Sequence, residues 1–185
     1  MGAAYRFQNP TGELLAHFLR IARGNYIRNL SSQENGFVLS ENYEEIIRNS
    51  TRLYGNEPEF PPFFLIIYSW EDTHRYFASH KPLMQIEQIR GFDYIYAVMK
   101  DTHYKISDYL ALWHRFVAAE IEYGSKGLFG LISEHPFRNH QSIKLHLALG
   151  LERVGELITS AETQLSGEPI TWGVYALPYL MKERR

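Results

Sequence analysis

Eight histidines and no cysteine set the first limits on the chemistry open to this chain of 185 residues. Without thiols there is no disulfide, no thiol nucleophile and no cysteine-rich zinc site. His135, His140 and His146 are neighbours in sequence, but their spacing puts no two on one helical face. No His-Glu-x-x-His occurs either, so a metal centre is not expected. No Gly-x-Ser-x-Gly marks a serine hydrolase. Trp70, Glu71, Asp72 and His74 read as a polar hairpin turn. The remaining chemistry belongs to single histidines, carboxylates and tyrosines, whose use depends on the elements that position them.

The composition bounds those elements. Hydrophobic residues make up 45% and charged residues 22%, a globular balance. The formal charge of −2 carries no basic excess, so neither nucleic acid nor an anionic membrane surface is expected as a partner. The longest apolar run, Phe60 to Tyr68, contains Pro61 and Pro62 and cannot span a bilayer. The start, Met1-Gly-Ala-Ala-Tyr-Arg, has no apolar signal core, and Arg6 does not suit N-myristoylation. With the lack of cysteine this fits a cytoplasmic protein. Aromatic residues reach 15%, which points to an aromatic core or, alternatively, to a pocket for an apolar or aromatic ligand.

No repeat, low-complexity tract or linker divides residues 1–185, so a single domain is expected. Tyr5 to Gln8 suits a first strand. Thr11 can cap a helix with apolar residues at Leu14, Leu15, Phe18, Ile21 and Ala22, which Gly24-Asn25 would stop or kink. Ser31 to Gly36 is loop-like. Ser40 can cap a second helix, with Glu41, Glu44 and Glu45 in its first turn. Phe63 to Tyr68 is a buried strand, and Tyr76 to His80 can return antiparallel to it. In Lys81 to Gly91, Leu83, Ile86 and Ile89 suit a short amphipathic segment. Phe92 to Met99 is a strand. Ser107 or Asp108 can cap a helix to about Tyr123, with Leu112, Trp113, Phe116, Ala119 and Tyr123 on its core stripe. Gly127 to Ile132 is a strand, and Asn139 or Gln141 opens a short helix ending near Gly150. Arg153 to Ile158 and Thr171 to Tyr179 close the chain as strands. The fold class expected is α/β (α+β): one mixed sheet of about six or seven strands with helices on both faces. Its unit from 92 to 132 is a parallel crossover.

This order is similar to that of the GNAT superfamily of N-acyltransferases. The residues that carry the resemblance are Asn139, Ser142, His146, Leu149-Gly150-Leu151 and Val154-Gly155. GNAT chains often place there an Asn, a Ser or Ala, an aromatic or His, Leu-Gly-Phe and Val-Gly at the same spacing. Glu134-His-Pro136-Phe-Arg-Asn139 resembles the approach to this stretch in one branch, and Gly36-Phe-Val-Leu-Ser40 the loop before the second helix. The element order covers nearly the whole chain, the specific motif a small part of it.

The resemblance implies roles. A thioester cofactor arm would lie along Ala97, Val98 and Met99, with Asn139 and Ser142 nearby. His146 would protonate the leaving thiolate sulfur, and Asp93, Tyr96, Glu134 and His135 are the candidate bases. Asn139 is equally suited to capping the short helix. One departure stands out. GNAT chains carry an Arg or Gln, two residues, Gly, one residue, then Gly or Ala before the long helix, where backbone N–H groups close on the CoA pyrophosphate. Here Lys105, Ser107, Asp108 and Leu110 occupy that stretch. Lys105 can replace the cation, but Asp108 and Leu110 fill both small positions, and Asp108 repels phosphate.

The function expected is therefore acyl transfer from a CoA or phosphopantetheine thioester to a small amine or amino acid. An acyl carrier protein would tolerate the altered loop. The alternative is a catalytically silent GNAT-like binding module. Monomer and homodimer both stay open. If Asp108 blocks phosphate, the double substitution Asp108→Gly and Leu110→Gly raises CoA affinity in calorimetry while costing helix stability. Unchanged affinity would show that the loop lies elsewhere.

Overall fold

The computed structural model describes residues 4–31, 42–101, 106–136, 138–159 and 169–179, with the backbone alone for 26–31, 106–109 and 111. Seven strands form one sheet: β1 Tyr5–Phe7, β2 Arg52–Gly55, β3 Phe63–Tyr68, β4 Asp93–Lys100, β5 Gly127–His135, β6 Glu152–Thr159 and β7 Ile170–Pro178. Their order in the sheet is β1-β2-β3-β4-β5-β7-β6, and only the β4–β5 pairing is parallel. The helices are α1 Gly12–Ser31, α2 Tyr43–Asn49, α3 Trp70–Tyr76, α4 Ile106–Tyr123 and α5 His140–Ala148. Two 3₁₀ segments, Ala78–Gln85 and Glu87–Ile89, follow α3.

Strand alternation divides the core in two. Phe64, Ile66 and Tyr68 of β3 join α1, α2 and the 3₁₀ residues Leu83 and Ile89 on one face. Phe63, Leu65 and Ile67 join Trp113 and Phe116 of α4 and Ile143 of α5 on the other. Burial on both faces explains why β3 reads as an unbroken apolar run. Trp113 Nε1 donates to the Leu149 carbonyl at 3.1 Å, tying α4 to the end of α5. Gly150, at φ +86°, terminates α5 in the left-handed conformation that glycine adopts without strain.

The sequence reading errs at several elements. Trp70 to Thr73 is not a hairpin turn but the start of α3, because Ser69 accepts a hydrogen bond from the Asp72 N–H and Glu71 and Asp72 fill the first turn. The expected strand Tyr76 to His80 is therefore the end of α3 and the start of a 3₁₀ segment. Helix α1 runs through Gly24-Asn25, where the Asn25 side chain donates to the Ile21 and Lys100 carbonyls. Strand β2 was not anticipated. Helix α2 starts at Tyr43 on an Asn42 cap, and the expected Ser40 cap and most of the Ser31–Gly36 loop lie outside the described residues. Helix α4 begins at Ile106, so Ser107 and Asp108 stand inside its first turn rather than at a cap.

Tyr123 is not a core residue; it is 48% exposed. It lies over a buried ion cluster instead. Arg52 of β2 donates to Glu120 of α4 twice, at 2.7 Å each, and to Asp93 of β4 at 2.5 Å. Arg52 is 2% exposed and Glu120 1%. Burial alone pulls the guanidinium's pKa down, but the Glu120 hydrogen bond and the charges of Glu120 and Asp93 raise it above its ordinary value. The Arg52 and Arg6 guanidinium carbons stand 4.3 and 4.8 Å from the Tyr123 ring centroid. Truncating one member of a buried pair strands the other's charge. Arg52→Met should therefore lower unfolding free energy by about 3–5 kcal/mol. Arg48→Met, at the exposed pair with Glu44, should cost only about 0.3–0.5 kcal/mol. Urea unfolding of both variants checks this; equal losses would contradict it.

Candidate functional site

Strands β4 and β5 run together for three residue pairs and then part. Asp93 pairs with Leu128, Tyr94 with Phe129 and Ile95 with Gly130. Beyond that point β4 stays on β3 and β5 stays on β7. The register of β3 against β4 jumps at the same place: Ile67 faces Ile95 and Ile66 faces Ala97, which leaves Tyr96 as a bulged residue. A bulge bends its strand and sharpens the local twist. Residues 93–95 are buried, whereas Tyr96, Ala97 and Val98 are half-buried. The result is a cleft between two diverging strands whose facing backbone groups are not paired with each other.

His146 of α5 stands over this divergence. A Cβ built on Gly130 would lie 2.9 Å from His146 Nε2, so glycine is what lets the imidazole close on the strand. His146 Nδ1 lies 2.8 Å from the Ser142 carbonyl and must be the protonated nitrogen, because a carbonyl only accepts. That leaves Nε2 as the free lone pair. Burial lowers the His146 pKa, against the opposing pull of the Ser142 hydrogen bond. Asn139 caps α5: its side-chain oxygen accepts from the Ser142 N–H at 3.0 Å. The first turns of α5 thus orient the ring, through Asn139 to Ser142 and through Ser142 to His146.

The other residues singled out by sequence disperse around this point. Asp93 belongs to the Arg52 cluster. Burial pushes the Tyr96 hydroxyl up to about 12, so it keeps its proton at neutral pH. Val98 packs on the α4 side, Ala97 on the opposite face, and Met99 is buried there. Glu134 is the bulged residue of β5 against β7. Its carboxylate receives Arg153 at 3.0 and 2.8 Å and the Tyr175 hydroxyl at 2.8 Å. The Arg153 hydrogen bond leads in holding its pKa below the usual carboxylate range. His135 is exposed at the end of β5. Lys105 lies outside the described residues, and Ser107 and Asp108 are the second and third residues of α4.

Sequence reasoning missed Gly130, Arg52, Glu120 and the Glu134–Arg153–Tyr175 group. Glu120 carried a signal: it shares the spacing of Trp113 and Phe116 along α4, which puts a carboxylate on the apolar stripe. Gly130 carried none, since the need for it arises only from α5. Among the described residues no group of three or more metal-ligating side chains occurs.

No family model matches the sequence, and no curated protein matches it. Solved structures do match the fold. An N-acetyltransferase from Staphylococcus aureus Mu50 aligns at TM-score 0.56 and 17% identity, over 94% of this chain and 98% of that one. Ribosomal-protein-alanine N-acetyltransferase from Brucella melitensis aligns at 0.57 and 17%, over 92% and 98%. FeeM, an N-acyl amino acid synthase from uncultured soil microbes, aligns at 0.56 and 14%, over 88% and 89%. The chain has the GNAT fold. Within that GNAT fold, the stretch Asn139 to Gly155 forms α5, its glycine stop and the start of β6. Gly155 lets Ile86 approach β6, since a Cβ there would lie 2.9 Å from Ile86 Cδ1.

The neutral state of His146 has a measurable consequence. Its pKa is lower folded than unfolded, where it is about 6.5. The neutral ring therefore contributes stability above that value, and the contribution is lost as pH falls through the folded value. His146→Gln should flatten the fall in melting temperature between pH 7 and 5. An unchanged slope would mean that the ring is charged or solvated in the folded chain.

Proposed function

We propose that this chain is an N-acyltransferase that moves an acyl group from a CoA or pantetheine thioester to a small amine. The observation that supports this most is the parting of β4 and β5 at Ile95 and Gly130, beneath a neutral imidazole. An extended amide-rich arm can hydrogen-bond to an unpaired strand edge, as an added strand does. The half-buried edge from Tyr96 to Val98 suits such an arm. The amine nitrogen attacks the thioester carbonyl carbon, the C–N bond forms and the C–S bond breaks. His146 Nε2 takes the proton that the amine loses and returns it to the departing sulfur. Because Nδ1–H is engaged by Ser142, the shuttled proton passes through Nε2 alone. Positioning supplies much of the remaining rate.

The donor's far end is less well served. A pyrophosphate favours helix N-terminal N–H groups free of negative side chains. Asp108 is the third residue of α4, in the turn where such an anion would bind. This favours a carrier-borne pantetheine over free CoA. It is also what supports the second reading, a silent module that binds without transferring.

The test offers acetyl-CoA, decanoyl-CoA and an acyl carrier protein as donors and follows amine-dependent thiol release. At least one donor should react. His146→Gln should lower the rate by about 10²–10⁴-fold, and the acid limb of the pH profile should vanish with it. No release from any donor, and no thermal shift with any, would leave the silent module as the reading.

A further inference from the structure

The Ser142 carbonyl holds one nitrogen of His146, but one hydrogen bond does not fix a ring. Histidine's χ2 wells are broad, so an imidazole tied at Nδ1 alone can still pivot. Nε2 would then swing away from the strand divergence and over β7. The row of residues beneath the ring bears on this. Gly130 of β5 pairs with Tyr175 of β7, and Tyr175 pairs with Arg153 of β6. Directly paired residues share a face of the sheet, so all three project to the side that α5 covers. Gly130 leaves a hole there, and His146 fills it. Tyr175 stands on the β7 side of that hole. It is 2% exposed, and its ring centroid lies 6.2 Å from that of His146, within the range of ring packing.

Tyr175 is itself held. Its ring lies over a second glycine, since a Cβ on Gly173 would lie 2.8 Å from Tyr175 Cε2. Its hydroxyl donates to Glu134 at 2.8 Å. Burial, and then that hydrogen bond, push the Tyr175 hydroxyl up to about 12, so at neutral pH it keeps the proton that it donates. Arg153 holds the Glu134 carboxylate at 3.0 and 2.8 Å and reaches on to Glu156 at 3.2 Å. An ion pair near the surface adds little stability by itself. Here a bulge in β5 and a glycine in β7 bring one onto a single buried hydroxyl. A hydrogen bond to an ionised acceptor is among the stronger kinds, so the ring is well anchored.

We propose that Tyr175 is a positioning residue for His146: pinned by Glu134 and Arg153, it walls the imidazole on the β7 side and keeps Nε2 at the parting of β4 and β5. Tyr175 acts through His146 rather than on a reactant. Its purpose rests on the acyltransferase reading, whereas the wall itself needs no donor.

NMR of the imidazole ¹⁵N nuclei in the full chain, without any thioester, tests the wall apart from transfer. At about pH 8, where a histidine ring is neutral, the parent should show His146 in the Nδ1–H form. Tyr175→Leu removes the wall. It should shift His146 toward the Nε2–H form, because a pivoted ring loses the Ser142 carbonyl. Glu134→Ala frees the hydroxyl and leaves the buried ring in place, so it should shift the tautomer the same way by less. Tyr175→Phe keeps a ring beside the imidazole and should stay closer to the parent than Tyr175→Leu does. With whichever donor reacts, Tyr175→Leu should lower kcat by about 10²-fold and leave KM unchanged, as a loss of alignment does. An unchanged His146 tautomer in the folded variants, however far their melting temperatures fall, would overturn the proposal and leave Tyr175 a packing residue. A loss carried by KM alone would overturn it too. The expected tautomer shifts in a chain that transfers no acyl group from any donor would instead overturn the transferase reading and leave the wall standing.

Discussion

A guanidinium held between two carboxylates fixes the frame on which the rest depends. Arg52 starts from β2, reaches Asp93 at the head of β4 and closes on Glu120 in α4. The cluster thus joins two strands that flank β3 to the helix that covers them. Buried charge of this kind adds little net stability compared with apolar packing, but it tolerates little displacement. Asp93 is also the first residue of the parallel β4–β5 pairing. Fixing it fixes where that pairing begins, and the bulge at Tyr96 fixes where it ends.

Between those two points lies the feature on which the proposed chemistry rests. Three residue pairs hold β4 and β5 together before the strands separate. Glycine at 130 then admits an imidazole from the opposite layer, and a capped helix turn orients it. A second bulge, at Glu134, puts that carboxylate on Arg153 and Tyr175. Gly173 makes this possible, because a Cβ there would come within 2.3 Å of the Glu134 oxygen. The chain thereby separates a carboxylate engaged in structure from a histidine left with a free lone pair.

Much of this was legible in the sequence, for identifiable reasons. The strands at 63–68 and 127–132 read clearly because their residues are apolar and nearly all buried, whereas the polar Ser133, Glu134 and His135 that complete β5 did not read as strand. Asn139 to Gly155 carried cap, helix and stop in order, so α5 and the place of His146 followed. Local signals failed where tertiary contacts overrode them. Asn25 offers its amide to Lys100 and lets α1 run on. Ser69 caps what looked like a turn. Arg52 disguised β2, since its charge is answered only by residues distant in sequence. Nothing in the sequence reveals that Arg52 and Arg153 bond to Asp93 and Glu134.

The central claim is that the cleft between β4 and β5 receives the thioester arm. Titration of the ¹⁵N-labelled chain with S-acetyl-pantetheine, followed by backbone amide shifts, tests it most directly. The account predicts saturable shifts concentrated at Tyr96, Ala97 and Val98 and at Leu131 to Ser133, with a smaller response at His146. Saturable shifts centred elsewhere, with these amides silent, would contradict it.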